Sequence, residues 1–377
     1  MTPPPSPDRG SQKLALFLPS LRGGGAERMF VALANGFATR EFAVDLVLAK
    51  ATGPYLEEVG AGVRIVDLGA TSVARAIPGL ARYLRMERPD ALLSGLSHAN
   101  VAALVARRIA HVATRVVVSE RNTFSAATGS RLHRVMGLLM RLSYPGADAI
   151  TAVSKGVAVD LSRVLGVPAE RVMFLYNPVV TADLLADAEK PLKETWVEAT
   201  DSPIILGVGR LSPQKDFGTL LRAFARVRAV RPARLAILGE GRARGELQEL
   251  ARQLGCEDDV LLPGFQSNPF SWMKSASVFV LSSRWEGLPG ALIQAMACGA
   301  PVVSTDCPSG PEEILEGGKW GALAPVGDDE AMARAILDTL DARDLPDVRL
   351  RAMDFDAEVA IDRHLEVLLP GAGAPAR

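Results

Sequence analysis

The 377-residue chain is short of the residues that staple or metallate a small protein. It has three cysteines and four histidines. Cys256, Cys298 and Cys307 are odd in number and lack Cys-x-x-Cys spacing, which argues against a disulfide framework or a structural zinc site and leaves reduced packing thiols. Long hydrophobic runs are missing too, none approaching the roughly 18 residues that span a bilayer. Residues 1–11 are polar and Pro-rich, unlike a signal peptide, so the chain is expected in the cytoplasm. An excess of charge is also lacking: the net charge is −1, and no nucleic-acid partner is expected. What is present is 48% hydrophobic and 23% charged residues, the balance of a folded globular protein rather than a disordered or collagen-like one. The length exceeds what one core serves, so two domains are expected.

The near-zero charge conceals an asymmetry. Residues 1–185 carry 21 basic and 14 acidic side chains, so the first part is basic and the remainder acidic. Between Arg121 and Ala147 stand Arg121, Arg131, Arg134 and Arg141 with no carboxylate, among Leu132, Val135, Met136, Leu138, Leu139 and Leu142. That is the pattern of a basic amphipathic helix, suited to an anionic membrane surface or to a domain core.

Short runs rich in Val, Ile and Leu alternate with segments of helical length and mixed polarity. This alternation predicts α/β architecture with parallel sheets buried on both faces. Strands are expected at 14–18, 44–49, 63–68, 91–95, 116–119, 149–153 and 172–176, then at 204–208, 235–238, 260–262, 278–281, 302–304 and 323–325. The rhythm fails after Asn177-Pro178. Two doubly wound, Rossmann-like domains are therefore expected, at 12–178 and 203–345, with a linker at 179–202 and a terminal helix near 356–369. A ligand would sit facing the carboxyl ends of the strands.

Three stretches carry chemistry. The first strand runs into Gly23-Gly24-Gly25 and a helix, where a tight turn and an amide-lined helix N-terminus suit a phosphate. The spacing is not Gly-x-Gly-x-x-Gly, which disfavours a nicotinamide cofactor. The strand at 204–208 runs into Gly209-Arg210-Leu211, with Lys215 five residues after Arg210. A guanidinium fork and a compact ammonium on one such loop can share a diphosphate, although two cations on a loop can equally be solvated surface. The third is the string from Ser282 and Ser283 through Glu286-Gly287-Leu288-Pro289 and Gln294 to Cys298-Gly299 and Val303. It reads as strand, turn, helix and strand, with Glu286 close to a helix N-terminus.

Taken together these stretches resemble glycosyltransferase family 4, and the resemblance covers nearly the whole chain. It implies the two-domain GT-B fold, a nucleotide-sugar donor such as a UDP-sugar, and transfer with retention of anomeric configuration. By that resemblance Arg210 and Lys215 hold the donor diphosphate beside Gly209. Glu286 with the backbone of Gly287 and Leu288 meets the sugar, and Gly24 and Gly25 line the donor from the first domain. Fixed cations and helix ends can stabilise the leaving diphosphate without metal, so neither a metal nor another cofactor is expected. The one clear Asp-x-Asp string, Asp354-Phe355-Asp356, falls where a helix begins.

Two positions depart from the family pattern. The second glutamate of the Glu-x7-Glu pair is Gln294, which can still accept from a ribose but without charge. The strand that usually ends in His ends in Ser119-Glu120-Arg121-Asn122. Glu120 is then a candidate base for the acceptor hydroxyl, or simply the partner of a neighbouring cation; His98 is the other candidate. The Ser-Glu-Arg-Asn string also resembles relatives that extend polyprenyl-diphosphate-linked sugars, so the expected acceptor is a glycan or a lipid-linked saccharide, with the basic helix on the membrane face. Epimerisation on the same fold, and a non-catalytic subunit that binds a nucleotide-sugar, remain open at this point.

Overall fold

The computed structural model describes residues 12–22, 24–125, 131–192, 194–198 and 201–371. The chain forms two compact units. One comprises the residues up to Pro178 together with those from Ala357 onward, and the other is Val179–Asp356.

The first unit is built on β1 (Lys13–Leu18), β2 (Ala43–Leu48), β3 (Val63–Asp67), β4 (Ala91–Gly95), β5 (Arg115–Glu120), β6 (Ala149–Ala152) and β7 (Val172–Phe174). They form one parallel sheet in the order β3-β2-β1-β4-β5-β6-β7. Around it lie α1 (Gly25–Ala38), α2 (Val73–Glu87), α3 (Ser97–Ala110), α4 (Arg131–Ser143) and α5 (Lys155–Leu165). The second unit holds α6 (Ala182–Ala188), α7 (Thr195–Glu198), α8 (Phe217–Val230), α9 (Arg244–Gln253), α10 (Phe270–Ser275), α11 (Gly290–Ala297), α12 (Pro311–Leu315), α13 (Asp329–Asp341) and α14 (Val348–Ala352), and α15 (Ala357–Leu368) returns to the first. Its sheet has β8 (Ile204–Val208), β9 (Arg234–Leu238), β10 (Val260–Gly264), β11 (Val278–Leu281), β12 (Val302–Thr305) and β13 (Ala322–Ala324) in the parallel order β10-β9-β8-β11-β12-β13. Both sheets are doubly wound, and each strand lies on one of the expected apolar runs. Such runs are apolar without alternation because helices cover both faces.

In each sheet the order reverses beside the first strand, between β1 and β4 and between β8 and β11. Crossover helices leave such a point on opposite faces, which opens a crevice at the strands' carboxyl ends. The turns after β8 and β11 are the two that carry Lys215 and Glu286.

Two details differ from expectation. Residues 179–202 are not a free linker: the amides of Val179 and Val180 donate to the Phe355 carbonyl, Thr181 caps α6, and Leu184 and Ala188 are buried. The second unit correspondingly extends to Asp356. Helix α15 joins the first unit, where Ile361, Leu365 and Leu368 are core residues; burying each contributes about 1.5–3 kcal/mol. Arg40 bonds Glu358 and Asp362, and Arg115 donates to the Val367 carbonyl at 3.0 Å. The Asp354-Phe355-Asp356 string spans the end of a 3-10 turn and the residue before α15.

Candidate active site

The second unit's site begins with backbone packing. The loops after β8 and β9 lie against each other: the Gly209 amide donates to the Leu238 carbonyl and the Leu211 amide to the Glu240 carbonyl, both at 2.9 Å. Gly239 has φ +130°, and a β-carbon there would lie 2.1 Å from the Gly209 carbonyl oxygen. Only glycine satisfies both demands, so the path of the loop carrying Arg210 is fixed by Gly239 in the loop after β9.

The amide of Lys215 closes a turn onto the Ser212 carbonyl at 3.1 Å, and its aliphatic stem lies along Gly209. The ammonium reaches Glu286 Oε1 at 2.5 Å. Glu286 is only 6% exposed, and the same oxygen accepts from Ser283 Oγ at 2.6 Å. Ser283 is held in turn, its carbonyl accepting from Thr305 Oγ1 at 2.6 Å. The backbone around Glu286 is clamped as well: its amide donates to the Pro308 carbonyl at 2.7 Å, and its carbonyl accepts from the Ser309 amide at 3.1 Å. Gln214 Nε2 donates to the Trp285 carbonyl at 2.9 Å, and the Arg284 amide donates to the Gln214 carbonyl at 2.8 Å. These bonds sew the β8 and β11 turns together.

Arg210 is exposed at the start of the β8 turn. Gly287 and Leu288 are buried in the β11 turn, which leads into α11 with no side-chain cap. Gln294 lies half-buried on α11. The arrangement can do one thing well: offer a fixed ammonium, an exposed guanidinium and a buried carboxylate to a ligand carrying negative charge at one end and hydroxyls at the other. Ser283 stands within the string that the sequence singled out, whereas Thr305, which sets it in turn, lies just beyond that string and carries no signal of its own. Among the described residues no group of three or more His, Cys, Asp and Glu could hold a metal ion. Cys307 is buried near Glu286; burial first, and that carboxylate second, push its thiol up to about 12, which removes it as a nucleophile.

In the first unit Gly24 and Gly25 stand at the start of α1, and a β-carbon on Gly25 would meet nothing within 4 Å. Gly23 lies outside the described residues. Glu120 ends β5 but points into the unit, only 4% exposed. It accepts from Tyr144 Oη, from Asn100 Nδ2 at 3.0 Å and from Ser97 Oγ at 2.9 Å. Burial pushes its carboxyl up while the three neutral donors, and through space the Arg121 charge, pull it down. It forms no ion pair with Arg121. His98 is exposed on the first turn of α3, after Leu96, whose φ of +78° is unusual for a side-chain-bearing residue.

Comparison with known proteins decides the class. Residues 23–183 match the model for Glycosyltransferase Family 4, and residues 202–342 match that for the group 1 glycosyl transferases. The chain belongs to glycosyltransferase family 4. This glycosyltransferase is 32% identical over 336 residues to the Campylobacter jejuni N-acetylgalactosamine-N,N'-diacetylbacillosaminyl-diphospho-undecaprenol 4-alpha-N-acetylgalactosaminyltransferase, covering 86% of this chain and 89% of that one. It is 29% identical to a lipopolysaccharide core biosynthesis glycosyltransferase of Rhizobium meliloti, over 84% of this chain and 85% of that one. In fold the enzyme resembles Anabaena HepE, solved with UDP and glucose (TM-score 0.79, 21% identity, 95% and 99% coverage). It also resembles the lipopolysaccharide outer core galactosyltransferase WaaB (TM-score 0.70, 20% identity, 94% and 99% coverage). These likenesses make the fold GT-B.

Proposed function

We propose that this enzyme transfers a sugar, with retention of configuration, from a UDP-sugar to a saccharide carried on a polyprenyl diphosphate or on a growing surface glycan. The observation that carries the reading is the coupling of Lys215 to Glu286 across the sheet's switch point. One end of that pair suits a diphosphate, the other a sugar hydroxyl. Arg210 and Lys215 take the diphosphate, Glu286 with the Gly287 and Leu288 backbone orients the sugar, and Gln294 accepts from the ribose. Gly24 and Gly25 belong to the first unit's share of donor binding. Cleavage moves the electrons of the anomeric C–O bond onto the departing diphosphate, where fixed cations stabilise the charge as it grows. The acceptor oxygen bonds to the anomeric carbon on the same face, and its proton passes to a departing phosphate oxygen. Neither metal nor other cofactor enters the scheme. Glu120, enclosed by three donors, enters it as an anchor of the β5 and α3 ends rather than as a base.

The acceptor class is supported by the Campylobacter relative, whose name states a diphospho-undecaprenol substrate, and by α4. Leu132 is 81% exposed, and Val135, Leu138, Leu139 and Leu142 are exposed beside Arg131, Arg134 and Arg141. An apolar row flanked by cations suits the headgroup boundary of an anionic bilayer, and no helix among the described residues is long and apolar enough to cross one. The test is transfer from a panel of labelled UDP-sugars to undecaprenyl-diphosphate-linked saccharides in chelator, with the product anomer read by NMR. Retention is expected; an inverted product, or activity abolished by chelation, contradicts the proposal.

A further inference from the structure

The end of β5 carries a second charged side chain that the donor site does not use. Arg121 is 7% exposed, yet among the described residues no carboxylate comes within ion-pairing distance of it. Its bonds go to neutral oxygens: Nη2 donates to Asn177 Oδ1 at 2.6 Å, and Nη1 donates to Ser119 Oγ at 3.4 Å. A guanidinium has five N–H donors, so most of its capacity is unused. Glu120, its chain neighbour, is occupied by Tyr144, Asn100 and Ser97. Glu120 acts on it through space rather than by a direct bond, as does Glu27 on the first turn of α1 more weakly, and buried His364 lies near it on α15. A buried guanidinium that makes no direct ion pair has lost hydration that two bonds to neutral oxygens only partly replace. Burial pulls the guanidinium down to about 9, with Glu120 and Glu27 acting in the opposite direction.

Such a guanidinium keeps donors to spare for an anion. The surroundings suit one. Arg121 stands at the carboxyl edge of the sheet, where Asn122, next in the chain, is exposed, and near the start of α1, whose first turn has no side-chain cap. Phe124, three residues on, stacks on His133 of α4 with ring centroids 3.9 Å apart, so the Arg121 turn is built against the helix whose apolar row is exposed.

We propose that Arg121 is the cation of a phosphate-binding site in the first unit, which holds a substrate phosphate or diphosphate. Which substrate supplies it rests on the reading above: a polyprenyl diphosphate seated along α4 would bring its diphosphate to this turn, and the donor would bring its own.

The test uses the full chain and three probes, inorganic pyrophosphate, farnesyl diphosphate and UDP, with binding followed by thermal stabilisation and calorimetry. Arg121→Gln keeps a donor for Asn177 and removes the charge. The expected result is a ligand-free variant that melts close to wild type, because Arg121 makes no direct ion pair and Gln keeps a donor for Asn177. Its affinity for pyrophosphate and farnesyl diphosphate should fall at least tenfold, while UDP binding stays. Arg121→Lys should recover part of that affinity. Loss of UDP binding as well would assign the site to the donor's phosphate and still support it. The proposal is overturned if wild type binds neither pyrophosphate nor farnesyl diphosphate, or if Arg121→Gln binds them as wild type does. It is also overturned if Arg121→Gln melts lower and Arg121→Lys, with the charge kept, binds no better. A wild type that binds farnesyl diphosphate but not UDP would instead break the donor-site reading and leave this one standing.

Discussion

At the scale of single residues, what matters is which groups are already engaged before substrate arrives. Lys215 is held by Glu286 at 2.5 Å, so a diphosphate that recruits Lys215 competes with a carboxylate. Glu286→Gln removes that competitor while keeping the shape of the side chain and its bond with Ser283. UDP should bind the variant about fivefold tighter, on the order of 1 kcal/mol, while transfer falls at least a hundredfold because the sugar loses its charged acceptor. Isothermal titration beside a transfer assay separates the two effects, and weaker UDP binding by the variant would contradict the competition. The sequence shows Lys215 and Glu286 as candidates but not as partners: they are 71 residues apart, and only the sheet order brings β8 beside β11. It is equally silent on Glu120 and Arg121, adjacent charges that share burial but not a bond, because burial is set by packing from α3, α4 and α15.

Elements were the most readable scale, and their failures are instructive. Each β-strand coincides with a Val, Ile and Leu run, since a strand covered on both faces needs apolar residues at every position. The stretch 179–202 was unreadable because α6 has seven residues and α7 four, too few to display a helical period. Helix α4 shows its amphipathic period plainly, but the period cannot say which face meets the core. The structure buries Met140 and turns Leu132, Val135, Leu138, Leu139 and Leu142 outward. Replacing Leu132 and Leu138 with Gln should therefore leave melting nearly unchanged and reduce co-sedimentation with phosphatidylglycerol vesicles several-fold, and Arg131→Ala with Arg134→Ala should make the remaining binding less sensitive to salt. Equal binding to neutral phosphatidylcholine vesicles would contradict the role of the arginines. Helix α15 offers a pH test. Its His364 is buried, and desolvation first, with the Arg121 charge also opposing protonation, depresses it to about 4 from an ordinary 6.5. The unfolded chain takes up the proton first, so the contribution is complete above pH 6.5 and is lost as pH falls from 6.5 to 4, by roughly 3 kcal/mol. Denaturant unfolding at stepped pH should show that loss in wild type and a flatter profile in His364→Gln.

For the whole molecule, two doubly wound sheets show the same reversal of strand order. The second unit presents cations and a buried carboxylate at its switch point, and the first presents a glycine turn, the buried Arg121 and an exposed apolar helix. Fold class was legible because α/β alternation is a property of the entire chain. The unit boundary was legible only on one side, at Pro178, because the chain beyond it is packed helix rather than free linker. The claim on which everything else depends is that the second unit binds a nucleoside diphosphate through Arg210 and Lys215 without a metal. Calorimetric titration of the full chain with UDP in excess chelator tests it most directly. The account predicts saturable one-to-one binding that weakens at least tenfold in Arg210→Ala, with melting unchanged, and in Lys215→Met, which also melts lower because buried Glu286 loses its counter-charge. Absence of binding, binding that appears only with a divalent cation, or affinity unchanged in both variants would contradict it.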